Sequence, residues 1–194
     1  FIDQWVLNRA VRRASEWFHQ LDREVHVHFN VSANQFQDQE FVNKVQTALD
    51  GHEVPPRLLT VELTETAVME DTLKAKAILD DLKSLGVSLA MDDFGTGQST
   101  FEYLSRFPFD RLKIDRQFLQ FDNDQPKHKR LAKIMMETGH RLEKTLIVEG
   151  IETKPQLEYA QENQCEWAQG FYFSKPVPRA QMDHLLTDGT RYSL

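Results

Sequence analysis

The stretch Ala75-Lys76-Ala77-Ile78-Leu79-Asp80-Asp81-Leu82-Lys83-Ser84-Leu85-Gly86-Val87-Ser88-Leu89-Ala90-Met91-Asp92-Asp93 decides the fold class. Ala75, Ile78, Leu79, Leu82 and Leu85 recur at helical spacing, and Gly86 stands where a helix C-terminus favours a left-handed residue. Val87 to Met91 then reads as a short buried strand, closed by two acids. The same alternation runs upstream. Val6, Ala10, Ala14, Trp17 and Phe18 predict a helix over 2–20, and Val25 to Phe29 a strand ending at Asn30. Phe41, Val45 and Leu49 predict a helix over 39–50, broken by Gly51 and Pro55-Pro56. Leu58 to Val61 follows as a strand ending near Glu62. Downstream, helices are expected near 99–105, 127–141, 154–163 and 179–187, and strands at 111–114, 145–148 and 166–168. Six strands, nearly all followed by helices, spell an α/β protein with a parallel sheet, and acids at strand ends suit a βα barrel.

The bulk properties narrow the function. With 194 residues, one domain over residues 1–194 is the default, and nothing marks a second. A formal charge of −7 argues against an unspecific grip on DNA, which depends on Lys and Arg neutralising phosphates. It leaves room for a small phosphorylated ligand, because bound divalent cations supply positive field locally. The single Cys165 fits a reducing, cytoplasmic compartment, and no apolar run approaches ~20 residues. A full barrel usually takes ~250 residues, so about two strand–helix units are expected before Phe1, in a larger parent protein. That parent is compatible with a membrane anchor elsewhere. An open barrel would leave apolar edges near 24–30 and 166–168, which a second copy or an upstream portion would cover.

Glu62 directly ends its strand, whereas Glu65 and Glu70 are better placed to stabilise the dipole of a following helix. Asp92-Asp93-Phe94-Gly95-Thr96-Gly97 sets two adjacent acids after a buried strand, where each can face a different cation or one can bridge both. A surface turn is the plain alternative, since Asp and Gly are common turn formers. Lys113 is a charge inside a strand and must face solvent or sit among anions. Glu149 ends the strand Leu146-Ile147-Val148 and suits a metal ligand, a general base, or both. Asn30 and Gln169 are amides at strand ends. His26 and His28 share one strand face and are read as packing residues, because oxygen donors dominate elsewhere. Hard oxygen ligands without Cys suit Mg²⁺ or Mn²⁺, and such ions ~3.5–4 Å apart commonly serve attack on a phosphodiester. The residues alone therefore point to a two-metal phosphodiesterase. A metal-dependent aldolase or lyase shares the acid pattern.

Several ordered stretches sharpen this: Phe29-Asn30-Val31-Ser32, Glu62-Leu63-Thr64-Glu65, Asp92-Asp93-Phe94-Gly95-Thr96-Gly97, Lys113-Ile114-Asp115, Glu149-Gly150-Ile151-Glu152, Gln169-Gly170-Phe171-Tyr172-Phe173 and Lys175-Pro176. In that order they resemble the EAL domain, the bacterial cyclic-di-GMP phosphodiesterase family. The resemblance implies a TIM-like (βα)8 barrel whose first strand is antiparallel, and hydrolysis of cyclic-di-GMP to linear pGpG with two Mg²⁺ or Mn²⁺ ions. It implies that Asn30, Glu62 and Asp92 hold one ion, and that Asp92 bridges to a second held by Asp93 and Glu149. Lys113 would contact the attacking water and Glu149 would accept its proton. Gln169, Glu65 and Glu152 would support the site, Glu65 by anchoring the loop after Asp93. A homodimer and an upstream sensory or GGDEF-type domain are the implied partners.

Two departures matter. The Glu-Ala-Leu tripeptide that names the family, and a nearby arginine, would precede the opening helix and are not in residues 1–194. The isolated chain is therefore expected to turn over weakly or not at all. Gln98 stands where the family usually has Tyr, in the loop Gly97-Gln98-Ser99-Thr100. The competing reading is a degenerate module that binds cyclic-di-GMP, or a partner, without cleaving it.

Overall fold

The structure, a computed structural model, describes residues 2–21, 23–96, 101–120 and 126–188. The described residues form six strands: β1 (Val27–Asn30), β2 (Leu59–Thr64), β3 (Ser88–Phe94), β4 (Arg111–Ile114), β5 (Thr145–Val148) and β6 (Trp167–Ala168). The registers of β1 with β2, β2 with β3 and β5 with β6 are parallel. Contacts divide the chain into two compact units, Phe1–Asp92 with Gly97–Arg111, and Asp93–Thr96 with Leu112–Leu194.

In the first unit, α1 (Ile2–Gln20) buries Leu7, Val11 and Ala14 along one stripe, against β1 and α3 (Phe41–Asp50). α2 (Ala33–Phe36) is a single turn, capped where Ser32 Oγ accepts from Gln35 N–H at 3.2 Å. Strand β2 is buried along nearly its whole length, as a parallel strand covered on both faces must be. Thr64 then caps α4 (Glu65–Met69). Asp71 starts α5 (Thr72–Ser84) by accepting from Lys74 N–H at 3.1 Å, and the helix buries Ala75, Ile78, Leu79 and Leu82. Gly86 adopts φ +86°, the left-handed turn expected of it. This unit also contains α6 (Phe101–Arg106). The Asp110 carboxylate joins Lys83 at 2.8 Å and accepts from Leu89 N–H at 2.8 Å, tying the end of α5 to β3.

In the second unit, α7 (Pro126–Arg141) buries Ala132, Met135 and Met136, and α8 (Lys154–Glu162) buries Tyr159 and Ala160. Tyr159 Oη donates to the Lys129 carbonyl at 2.7 Å, binding α8 to α7. The last helix, α9 (Arg179–Thr187), has no buried residue among those described. Among the described residues no helix is long and apolar enough to cross a membrane.

Candidate metal centre

Parallel register decides which side chains share a face in the first unit. Asn30 lies opposite Glu62, and Thr64 opposite Asp92, so three strand ends bring oxygen donors to one edge. Val31 N–H donates to the Glu62 carbonyl at 2.9 Å, which fixes the chain just beyond Asn30. Glu62 is only 5% exposed, whereas Asn30 is exposed. A carboxylate so buried needs polar company. His28 supplies part of it: its Nδ1 lies 2.7 Å from Glu62 Oε1, so His28 does more than the packing role its strand position suggested. Glu65 is 3% exposed at the first turn of α4, and its Oε2 has no hydrogen-bond partner among the described residues. The loop that the family resemblance assigns it to anchor includes Gly97, Gln98, Ser99 and Thr100, which lie outside the described residues.

The second unit gathers the charged groups expected to do chemistry. Lys113 Nζ meets Glu149 Oε1 at 2.8 Å, with side chains 6% and 18% exposed. Lys113 thus takes the anionic company that a lysine inside a strand requires. Glu149 N–H donates to the Ile114 carbonyl at 3.0 Å, setting Glu149 beside the end of β4. Asp93 adopts φ +54°, and Thr96 donates to its carbonyl through N–H at 3.1 Å and through Oγ1 at 2.9 Å. That turn leaves an Asp93 carboxylate oxygen within 4.8 Å of one from Glu149, and Asp92 offers another within the same distance of Asp93. Both Asp92 and Asp93 belong to β3 rather than following it.

Gln169 is placed by backbone bonds, donating N–H to the Val148 carbonyl at 2.8 Å and accepting from Ile151 N–H at 3.0 Å. It lines a cavity of about 550 Å³ with Glu166, Trp167, Gly170 and Phe173. Glu152 is exposed, and its backbone N–H donates to Gln156 Oε1 at 2.8 Å, an arrangement that starts α8.

Close carboxylates repel, and a divalent cation among them relieves that repulsion. The Asp93 and Glu149 donors are carboxylate oxygens, which fit a hard cation of the Mg²⁺ or Mn²⁺ type.

Comparison with known proteins places the chain in a family. The sequence model of the EAL domain matches residues 1–176. Cyclic di-GMP phosphodiesterase NbdA of Pseudomonas aeruginosa is 35% identical over 185 residues, 95% of this chain and 24% of that protein. The crystal structure of the EAL domain of Mycobacterium smegmatis DcpA is 31% identical with a TM-score of 0.90, covering 98% of this chain and 86% of that one. The structure of the PaMucR phosphodiesterase, c-di-GMP complex, is 34% identical with a TM-score of 0.88, covering 93% of this chain and 73% of that one. The chain spans about a quarter of the length of the curated relatives it matches. Parallel strands in sequence order, acids at their ends and a family match over nearly the whole length lead to one assignment: the chain belongs to the EAL domain family and has its TIM-like fold.

Proposed function

We propose that this chain hydrolyses cyclic-di-GMP to linear pGpG with two divalent cations, as part of a larger signalling protein. The observation that carries the reading is the pairing of Lys113 with Glu149 at 2.8 Å beside the Asp93 carboxylate. One cation would be held by Asn30, Glu62 and Asp92, and the other by Asp92, Asp93 and Glu149. When bound, Mg²⁺ or Mn²⁺ supplies Lewis-acid activation and charge neutralisation at the phosphodiester.

The chain's own residues do the rest. Lys113 donates to the attacking water and keeps the Glu149 carboxylate aimed at it. Glu149 takes the water proton as the P–O bond forms. Gln169 supports substrate from the wall of the neighbouring cavity, with Glu65 and Glu152 as supporting groups. The bond to the leaving 3′ oxygen breaks as the new one forms, and that oxygen takes up a proton from solvent, so the product is a linear dinucleotide with a terminal phosphate and a free 3′ hydroxyl.

The proposal includes a homodimer, an upstream sensory or GGDEF-type domain, a cytoplasmic location and no DNA partner. The net charge of −7 supports the last point. End strands β1 and β6 each have one strand neighbour among the described residues, which supports a second copy or further chain beside them. The test is incubation of the full-length protein with cyclic-di-GMP and Mg²⁺ or Mn²⁺, with products separated by chromatography. Formation of pGpG, abolished by Glu149→Gln, is the expected result. Tight binding of cyclic-di-GMP without any product would sink the catalytic reading and favour a binding module.

A further inference from the structure

His28 and Asn30 lie on the same face of β1 because strand side chains alternate. In register, His28 faces Thr60, and Asn30 faces Glu62. The Thr60 hydroxyl is already engaged, because Arg111 Nη1 donates to it at 2.6 Å. His28 instead reaches one step along β2, where its Nδ1 comes within 2.7 Å of Glu62 Oε1. The carboxylate is 5% exposed, and the His28 side chain is 21% exposed. A carboxylate only accepts, so Nδ1 carries the hydrogen in this contact.

We propose that His28 is a positioning residue for the cation bound by Glu62: its imidazole fixes one carboxylate oxygen so that the other is presented to the ion. This rests on the reading of Glu62 as a metal ligand. Groups that orient a ligating side chain are worth about 10–100-fold in metal affinity. The effect is confined to one of the two cations, since Asp93 and Glu149 do not depend on β1 for their placement.

The experiment is a Mn²⁺ titration of the full-length protein, following free Mn²⁺ by electron paramagnetic resonance. Four forms are compared: wild type, His28→Leu, His28→Asn and Glu62→Gln. His28→Leu keeps the bulk and removes the donor. His28→Asn keeps a nitrogen donor the same number of bonds from Cα. The expected result is roughly tenfold weaker binding of one Mn²⁺ in His28→Leu, with the second unchanged and most of the loss recovered in His28→Asn. A general loss of packing would weaken both ions and would not be rescued by Asn, which overturns the proposal. Wild-type affinity in His28→Leu alongside loss of an ion in Glu62→Gln overturns the role of His28 alone. Unchanged binding in Glu62→Gln overturns the ligand reading and the role of His28 with it.

Discussion

Lys113 Nζ and Glu149 Oε1 lie 2.8 Å apart, joining the middle of β4 to the residue just beyond β5. Neither charge has much access to water, so each helps to compensate the other. An ion pair in that setting contributes little net stability when intact, yet removing one partner is costly. Under the proposed function, the pair therefore ties stability and chemistry to the same two side chains.

Lys113→Met leaves the Glu149 carboxylate without its ammonium. We expect a loss of about 3 kcal/mol in urea denaturation, from breaking a buried pair. Lys113→Met combined with Glu149→Gln should recover part of that stability, because the two opposite charges of this pair are then removed together. Turnover should not recover, staying on the order of 100-fold or more below wild type in both variants. Stability that falls further in the double variant would contradict the pairing.

Divalent cations that hold native carboxylates together stabilise the folded state by mass action. Mn²⁺ at 100 times its Kd should add about 2.7 kcal/mol, or roughly 5–10 °C in Tm. In Asp93→Asn the increment should shrink, because a donor within 4.8 Å of Glu149 has lost its charge. Differential scanning calorimetry with and without Mn²⁺ checks this. Equal increments in both proteins would remove Asp93 from the ligand set.

Much of this arrangement was legible from residue order. The spans 111–114, 145–148 and 179–187 coincide with β4, β5 and α9, because turn residues or charges bound each apolar run. Other bounds moved. Ending strands at their first acid clipped β2 before Thr64 and β3 before Phe94. Pairing belongs to the backbone, so a parallel register continues through Glu62 and Asp92 whatever their side chains carry. The turns α2 and α4 escaped notice because four or five residues are too few to show a period, although Ser32 and Thr64 are cap residues that signal them. The reach of His28 to Glu62 was also hidden. Alternation sets its face, but its partner depends on the offset between β1 and β2, which composition does not carry.

Burial, reinforced by the nearby charge of Arg111, holds His26 below its ordinary value of 6.5. The folded protein therefore takes up this proton later than the unfolded chain does as pH falls. Its contribution is fully present above pH 6.5 and is lost as pH drops through the depressed value. His26→Gln should flatten the slope of unfolding free energy just below pH 6.5, measured by urea titration. An unchanged slope would place the acid sensitivity in other groups.

Cys165 is 4% exposed, and burial pushes its thiol up to about 12. At pH 8 roughly one molecule in ten thousand then carries the reactive thiolate. Disulfide reagents should label the native protein at the rate of unfolding rather than that of an open thiol, and promptly in denaturant. Prompt labelling of the native protein would place the sulfur at an accessible surface.

Gly170 follows Gln169, and a Cβ built there would lie 2.1 Å from the Ile151 carbonyl oxygen and 2.3 Å from its nitrogen. Those backbone atoms have nowhere to yield. Ile151 N–H donates to Gln169 O at 3.0 Å, and Ile151 O accepts from Tyr172 N–H at 2.9 Å. Any shift that admits a methyl group must lengthen one or both bonds and carry Gln169 away from the strand end. Overpacking of this kind costs about 1–3 kcal/mol, and Gly170→Ala should fall at the upper end of that range. Because Gln169 lines the adjoining cavity, the proposed function predicts that the variant also binds cyclic-di-GMP more weakly while keeping its affinity for Mn²⁺. Calorimetry with each ligand separates the two effects. Equal loss of metal and nucleotide binding would mean that the strain spreads to the carboxylates, against a local role for the Gln169–Gly170 turn.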